Sequence, residues 1–269
     1  MPLTIAYLQE WSADFGVTAS VADDKTEVTK WTYNTKIPSY GATGWWDKSA
    51  YKEGMVLGDI WGLQFDRFLT EDDFNADGSL KAGLPDQTKV FPAGYQFAPG
   101  DVLYKDLDNN GEIVKQTNTN DKGDLSVIGN ALPRLQFGLN LDAAWKGFDI
   151  SMFFQGVAKR KLWAAGNQVL PGFTTGEPFY KGAEDYWTPE NTDAFYPRPM
   201  DYKQSASGNY SVNDRYLLNM AYLRLKTFTV GYSLPKVWLS KFKVQGLRVY
   251  FTGENLFTID GVKPAIDPE

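Results

Sequence analysis

The chain has 269 residues, a formal net charge of −6, 43% hydrophobic and 22% charged residues, which excludes wholesale disorder and leaves room for one large or two ordinary domains. It holds neither cysteine nor histidine, so a disulfide framework, a thiol nucleophile, a Cys-based zinc site, Ser-His-Asp catalysis and imidazole ligation are all excluded. No Lys/Arg cluster suited to a phosphate backbone occurs, which argues against nucleic acid.

No apolar run reaches the roughly 18–20 residues of a membrane-spanning helix, but a barrel strand needs only about 9–11 residues with every second one facing lipid. The aromatic share of 15% suits the girdles of such a barrel or a sugar-binding surface. Met1-Pro2-Leu3-Thr4-Ile5 lacks the features of a signal peptide, so for an exported protein the true start is expected upstream.

In chain order, residues 1–31 are predicted to form a barrel hairpin, in which Phe15, Val17, Ala19 and Val21 alternate with Asp14, Gly16, Thr18 and Ser20. Residues 32–133 follow as a long extracellular loop region. Residues 134–157 give the clearest hairpin: Leu135, Phe137, Leu139, Leu141, Ala143 and Trp145 share one face, Lys146-Gly147 is a two-residue turn, and Phe148, Ile150, Met152 and Phe154 return on the apolar side. Trp145 and Phe148 fall where a girdle aromatic or a turn-end core aromatic belongs. Residues 158–217 form a second long extracellular loop.

Residues 218–258 are read as a third hairpin. Its phase shifts between Leu225 and Phe228, which predicts a bulge near Thr227. A short periplasmic helical turn is expected over Leu234 to Lys241, with Pro235 near its start. Residues 259–269 begin another extracellular loop. Short and long connections alternate strictly, as in a membrane barrel with turns at one end and loops at the other. The fold class is therefore all-β, an antiparallel up-and-down meander of about six long strands. Soluble sandwiches, jelly rolls and lipocalins share the alternation but not this sorting of loops.

Asp106-Leu107-Asp108-Asn109-Asn110-Gly111-Glu112-Ile113 fits the first eight positions of an EF-hand-type loop, making Asp106, Asp108, Asn110 and Glu112 candidate calcium ligands. Thr117 stands where a bidentate Glu belongs; Asp121 or Asp124 could replace it if the intervening residues loop out. The competing reading is a solvated Asp/Asn/Gly turn. Trp45, Trp46, Trp61 and Trp187 in the long loops are candidate ligand-stacking aromatics, with a small loop core as the alternative. The carboxylate pairs Asp23-Asp24, Asp72-Asp73 and Glu184-Asp185 are read as solvated surface and no catalytic residue is assigned.

Several segments together resemble the SusC/RagA family of TonB-dependent nutrient transporters. Gly100-Asp101-Val102-Leu103-Tyr104-Lys105-Asp106-Leu107-Asp108-Asn109-Asn110-Gly111 resembles the family's GDxxYxDxNxDG loop, and Val127-Ile128-Gly129-Asn130 with Pro133-Arg134 its IGNxxPR. Lys146-Gly147-Phe148-Asp149-Ile150-Ser151-Met152-Phe153-Phe154-Gln155-Gly156 is similar to KGFDLSxFFQG, and Trp187-Thr188-Pro189-Glu190-Asn191 with Tyr196-Pro197-Arg198 to WTPEN and YPR. Tyr222-Leu223-Arg224-Leu225-Lys226 with Gly231-Tyr232-Ser233-Leu234-Pro235 resembles YLRLKNxTLGYxLP. Leu247-Arg248-Val249-Tyr250-Phe251-Thr252-Gly253-Glu254-Asn255-Leu256-Phe257 and Asp267-Pro268-Glu269 resemble LRVYxSGxNLF and DPE.

The resemblance implies a roughly 22-stranded outer-membrane barrel with an N-terminal plug. It further implies energy supply through TonB, a SusD-like surface lipoprotein partner, glycan or oligopeptide substrates and no enzymatic activity. No cofactor is required, calcium being the one candidate. On this reading the chain is a C-terminal piece without the plug, the TonB box or the closing strand. Alone it leaves open edges and is expected neither to insert nor to transport. Asn110 stands where the family loop has Asp, and an insertion follows Glu112, which weakens the calcium assignment. The alternative function is a secreted carbohydrate-binding β-domain using the loop aromatics.

Overall fold

The computed structural model describes residues 3–6, 13–30, 53–115, 122–173, 179–200, 208–262 and 266–269. Its strands are β1 (Leu3–Ala6), β2 (Ala13–Ala22), β3 (Asp59–Gly62), β4 (Phe65–Phe68), β5 (Val102–Tyr104), β6 (Ser126–Asn130), β7 (Arg134–Trp145), β8 (Phe148–Lys159), β9 (Lys161–Leu162), β10 (Leu218–Asn219), β11 (Tyr222–Ser233) and β12 (Arg248–Asp260). The main sheet runs β1-β2-β7-β8-β11-β12 with every neighbouring pair antiparallel, the expected six-stranded meander. β8 and β12 each continue two residues beyond the expected ends. Leu218 and Asn219 leave the expected third hairpin and pair instead with β9.

The register explains the alternation. Val17, Leu141, Met152, Phe228 and Gly253 form one cross-strand row, flanked by Phe15, Ala143, Ile150, Val230 and Phe251, and by Ala19, Leu139, Phe154, Leu225 and Phe257. The intervening rows are mostly polar, for example Gly16, Asp142, Ser151, Thr229 and Thr252. Pairing slips between Leu225 and Thr227 on both sides of β11, as the phase shift predicts. This bulge, with Asn255 of β12 at φ 51°, keeps Leu225 and Phe228 on one face although they stand an odd number of positions apart. Phe137 covers Gly156, where an added Cβ would lie 2.4 Å from its ring.

The short turns follow their residues. Lys146 and Gly147 have φ of 48° and 90°, the two positive values of a type I′ hairpin turn. Pro235, at φ −59°, precedes the one-turn helix α1 (Lys236–Leu239), and Lys243 at φ 55° ends the 3-10 turn that follows.

Most buried hydrophobic residues lie away from the sheet, in the two long connections. These pair as β3 with β6, β4 with β5, and β9 with β10. One core joins Leu63, Phe68, Phe91, Tyr104 and Leu125 to Trp187 and Ala194; the other joins Ile60 to Trp163, Leu170, Tyr196, Tyr210 and Tyr216. Each core therefore draws on both connections. Polar pegs cross as well: Val102 N–H donates to Asn209 Oδ1 at 2.7 Å, and Tyr104 O–H to Gly208 carbonyl at 2.8 Å. Arg215 lies over Phe65 at 4.3 Å while donating to the Ala194 and Phe195 carbonyls. The described residues of the two loop regions form one folded cap.

The apolar face of the sheet is left uncovered: Phe15, Val21, Phe251 and Ile259 are each at least 60% exposed. An apolar surface of this extent is stable only against lipid or another apolar body. It also speaks against a freely soluble carbohydrate-binding domain.

Candidate functional site

The acidic loop turns at Asn109 and Gly111, with φ of 58° and 85°. Asp106 accepts the Gly111 N–H at 2.8 Å, and Asp108 accepts the Asn110 N–H at 3.1 Å. The chain then returns through Lys122-Gly123 so that Asp124, wholly buried, accepts the N–H groups of Leu107 and Val114, each at 2.8 Å. Carboxylate oxygens of Asp106, Asp108 and Asp124 lie within 4.8 Å of one another. Desolvation raises the Asp108 carboxyl above its ordinary value, and the Asp106 charge adds to this. Desolvation also pushes the Asp106 carboxyl up, but backbone N–H donation led by Gly111 outweighs it and holds that group below its ordinary value.

Glu112 does not join the group. Its carboxylate pairs with Lys89, across a bridge that sets Asp86 beside Glu112. Asn110 turns its side-chain N–H to Asp108 and its oxygen to the Glu112 N–H. Thr117 and Asp121 lie outside the described residues. Asp124 was legible only as a replacement for the missing Glu, because residues 109–123 separate it from Asp108. Three close carboxylates supply part of the six to eight oxygens that calcium takes.

The candidate stacking tryptophans divide. Trp45 and Trp46 lie outside the described residues. Trp187 is only 7% exposed and rests on Gly100, whose φ of +89° and bare Cα leave room for the indole; a Cβ there would lie 2.5 Å from the ring. Trp61 packs half-buried against the same core. Neither ring is presented as an open stacking platform, so the loop-core alternative describes both. One member of each of two carboxylate pairs is likewise engaged: Asp73 with Arg67 at 2.6 Å and Asp23 with Arg134.

Sequence reading missed a cleft of about 690 Å³ in the second connection. Exposed rings of Phe179, Tyr180 and Tyr186 rim it, the more buried Tyr196 and Tyr210 line it, and Lys181 and Glu184 supply charge of both signs. Its proline and aromatic lining was visible as composition, but the fold alone brings residues 171 and 210 together. Within the cap, fully buried Asp101 accepts Arg198 Nε at 2.8 Å and the Tyr95 O–H, Ala98 N–H and Asn209 Nδ2–H at 2.9 Å each. This network fixes the two connections to each other next to the YPR segment.

On the polar face of the sheet, Arg248 of β12 reaches across β11 to Asp149 of β8 at 2.5 Å. It passes over Gly231, where a Cβ would lie 2.6 Å from the guanidinium. Glycine at this row is the condition for an ion pair spanning three strands.

An antiparallel meander with one continuous uncovered apolar face, one polar face and its long connections gathered into a cap at one end is a segment of a transmembrane β-barrel wall. No family model matches the chain. Two curated relatives from Formosa agariphila do: TonB-dependent receptor P3, 30% identical over 224 residues, and TonB-dependent receptor P26, 34% identical over 166 residues. These alignments cover 81% and 60% of this chain but only 19% and 16% of the relatives, so the chain spans less than a fifth of their length. Among solved structures, the RagAB peptide transporter matches 99% of this chain with a TM-score of 0.65 at 18% identity. The RagAB peptide importer in its open-open state matches with 0.59 at 17%; each alignment covers 25% of the solved chain. Over the matched residues the chain is similar in sequence to TonB-dependent receptors and shares its fold with part of a RagAB transporter.

Proposed function

We propose that the whole protein imports glycans or oligopeptides across the Gram-negative outer membrane, driven by TonB and working with a SusD-like surface lipoprotein. The described residues supply barrel wall and part of the extracellular cap. The uncovered apolar face with its loops sorted to one end carries this reading, since it fits a wall in lipid. The receptor names of the relatives support the energy source. Within the cap, the Phe179–Tyr180–Tyr186 cleft is the substrate contact we propose: exposed rings bind sugar faces or apolar side chains, and Lys181 and Glu184 orient polar ends.

The test is uptake by cells carrying the whole protein. Uptake should vanish on deletion of TonB, and Tyr180→Ala with Tyr186→Ala should weaken substrate binding roughly tenfold, at about 1.4 kcal/mol. TonB-independent uptake would refute the import reading. Unchanged binding in the double variant would remove the cleft from it.

A second proposal concerns the acidic loop. The convergence of Asp106, Asp108 and Asp124 supports a structural divalent cation, with calcium the preferred ion.

A further inference from the structure

We infer that the short-turn end of this sheet is a surface for anionic phospholipid headgroups, an inference that rests on the barrel reading above. The connection from Leu234 to Leu247 contains Lys236, Lys241 and Lys243 and no carboxylate, and the neighbouring turn adds Lys146. This concentration of cations stands in a chain whose net charge is −6. All four lysines are exposed, and none forms an ion pair with another described residue.

Apolar groups stand among these charges. Val237 and Trp238 of α1 are 74% and 59% exposed, while Leu239 beside them is buried and anchors the turn. The patch is continuous with the apolar face of the wall. Ser233 N–H donates to the Gly147 carbonyl at 2.7 Å, which holds the two connections side by side at the end of the row Trp145, Phe148, Tyr232 and Val249. In that row the Phe148 and Tyr232 rings lie 4.4 Å apart, and Lys146 Nζ sits 4.7 Å from the Trp145 ring centre.

Aromatic rows at the end of a lipid-facing belt sit at headgroup depth, and ammonium groups just beyond them meet the phosphates. Without carboxylates in the same connection, those lysines gain from an anionic bilayer surface and little from a zwitterionic one. An exposed Trp and Val on a Lys-rich turn match the make-up of an interfacial segment that dips into the headgroup layer. The partner is therefore a lipid surface, phosphatidylglycerol being the simplest probe.

The whole transporter, exchanged into nanodiscs of phosphatidylcholine containing a minority of phosphatidylglycerol, would be released into the mass spectrometer and its retained lipids counted. The variant Lys236→Gln/Lys241→Gln/Lys243→Gln should lose phosphatidylglycerol roughly tenfold or more, since each lysine near an anionic surface contributes about fivefold. Phosphatidylcholine retention should not change, and the cap variant Lys81→Gln/Lys105→Gln/Lys122→Gln should behave as wild type. Equal phosphatidylglycerol retention by the turn variant would overturn the inference, as would full displacement by inorganic phosphate alone. Heat-modifiable gel migration of each sample separates the two levels. A folded barrel with unchanged retention removes only the lipid surface, whereas a protein that never migrates as a barrel removes the barrel reading with it.

Discussion

Asp101→Ala should loosen the cap while leaving the wall intact. Asp101 is wholly buried and accepts from Arg198, Tyr95, Ala98 and Asn209, so its removal leaves one cation and three neutral donors without their acceptor. Breaking a buried pair typically costs about 3–5 kcal/mol. The Arg198 side chain is 24% exposed and can partly rehydrate, which places the expected loss near the lower end, about 3 kcal/mol. That corresponds to a roughly hundredfold increase in local opening. Hydrogen exchange on the whole protein reads this directly: amides of Val102 to Tyr104 and of Gly208 to Asn213 should exchange about a hundredfold faster, while β7 and β8 keep their protection. Asp101→Asn, which keeps the shape and some acceptor capacity, should fall between. A change below about threefold in those cap amides, or an equal acceleration in β7, would refute the argument that this network ties the two connections together.

Gly100→Ala should open the same region by about 1–3 kcal/mol, because it strains a φ of +89° and drives a methyl into Trp187; Trp187 fluorescence unchanged from wild type would count against it. The Arg67 guanidinium beside Asp73 holds that carboxyl at about 2 rather than 3.8, so its stabilisation is present above pH 4 and is lost as pH falls towards 2; with Arg67 partly exposed we expect about 1 kcal/mol, read as faster exchange of the Thr70 to Phe74 amides in acid and absent in Asp73→Asn. Calcium should raise the melting temperature of the whole protein, less so at acid pH where Asp106 and Asp108 protonate, and Asp124→Ala should abolish the shift. Identical melting with calcium and with chelator would remove the cation.

What was legible in the sequence follows the range of the forces involved. The wall was readable because each strand alternates between lipid and a polar face, so the pattern is written locally in β7, β8 and β12. The bulge was readable for the same reason, since Leu225 and Phe228 cannot share a face without one. The joint core of the cap was not. It depends on pairs such as Val102 with Asn209, whose partners have no local periodicity and are separated by more than a hundred residues. Asp106 and Asp108 were readable from their spacing in one turn. Asp124 closes the group from across a gap, while the Glu112 carboxylate pairs with Lys89 of another turn. Trp187 stayed open between a stacking ring and a loop-core residue because nothing in its neighbourhood reveals that Gly100 provides its seat.

Cysteine scanning along β7 of the whole protein in membranes tests the central claim most directly, and this chain contributes no cysteine of its own. Spin labels at Phe137, Leu139, Leu141 and Ala143 should report lipid-dissolved oxygen, and labels at Gly138, Asn140 and Asp142 should report a water-soluble relaxant, in strict alternation. Equal access of the water-soluble relaxant to both sets would contradict a wall whose apolar face lies in the membrane.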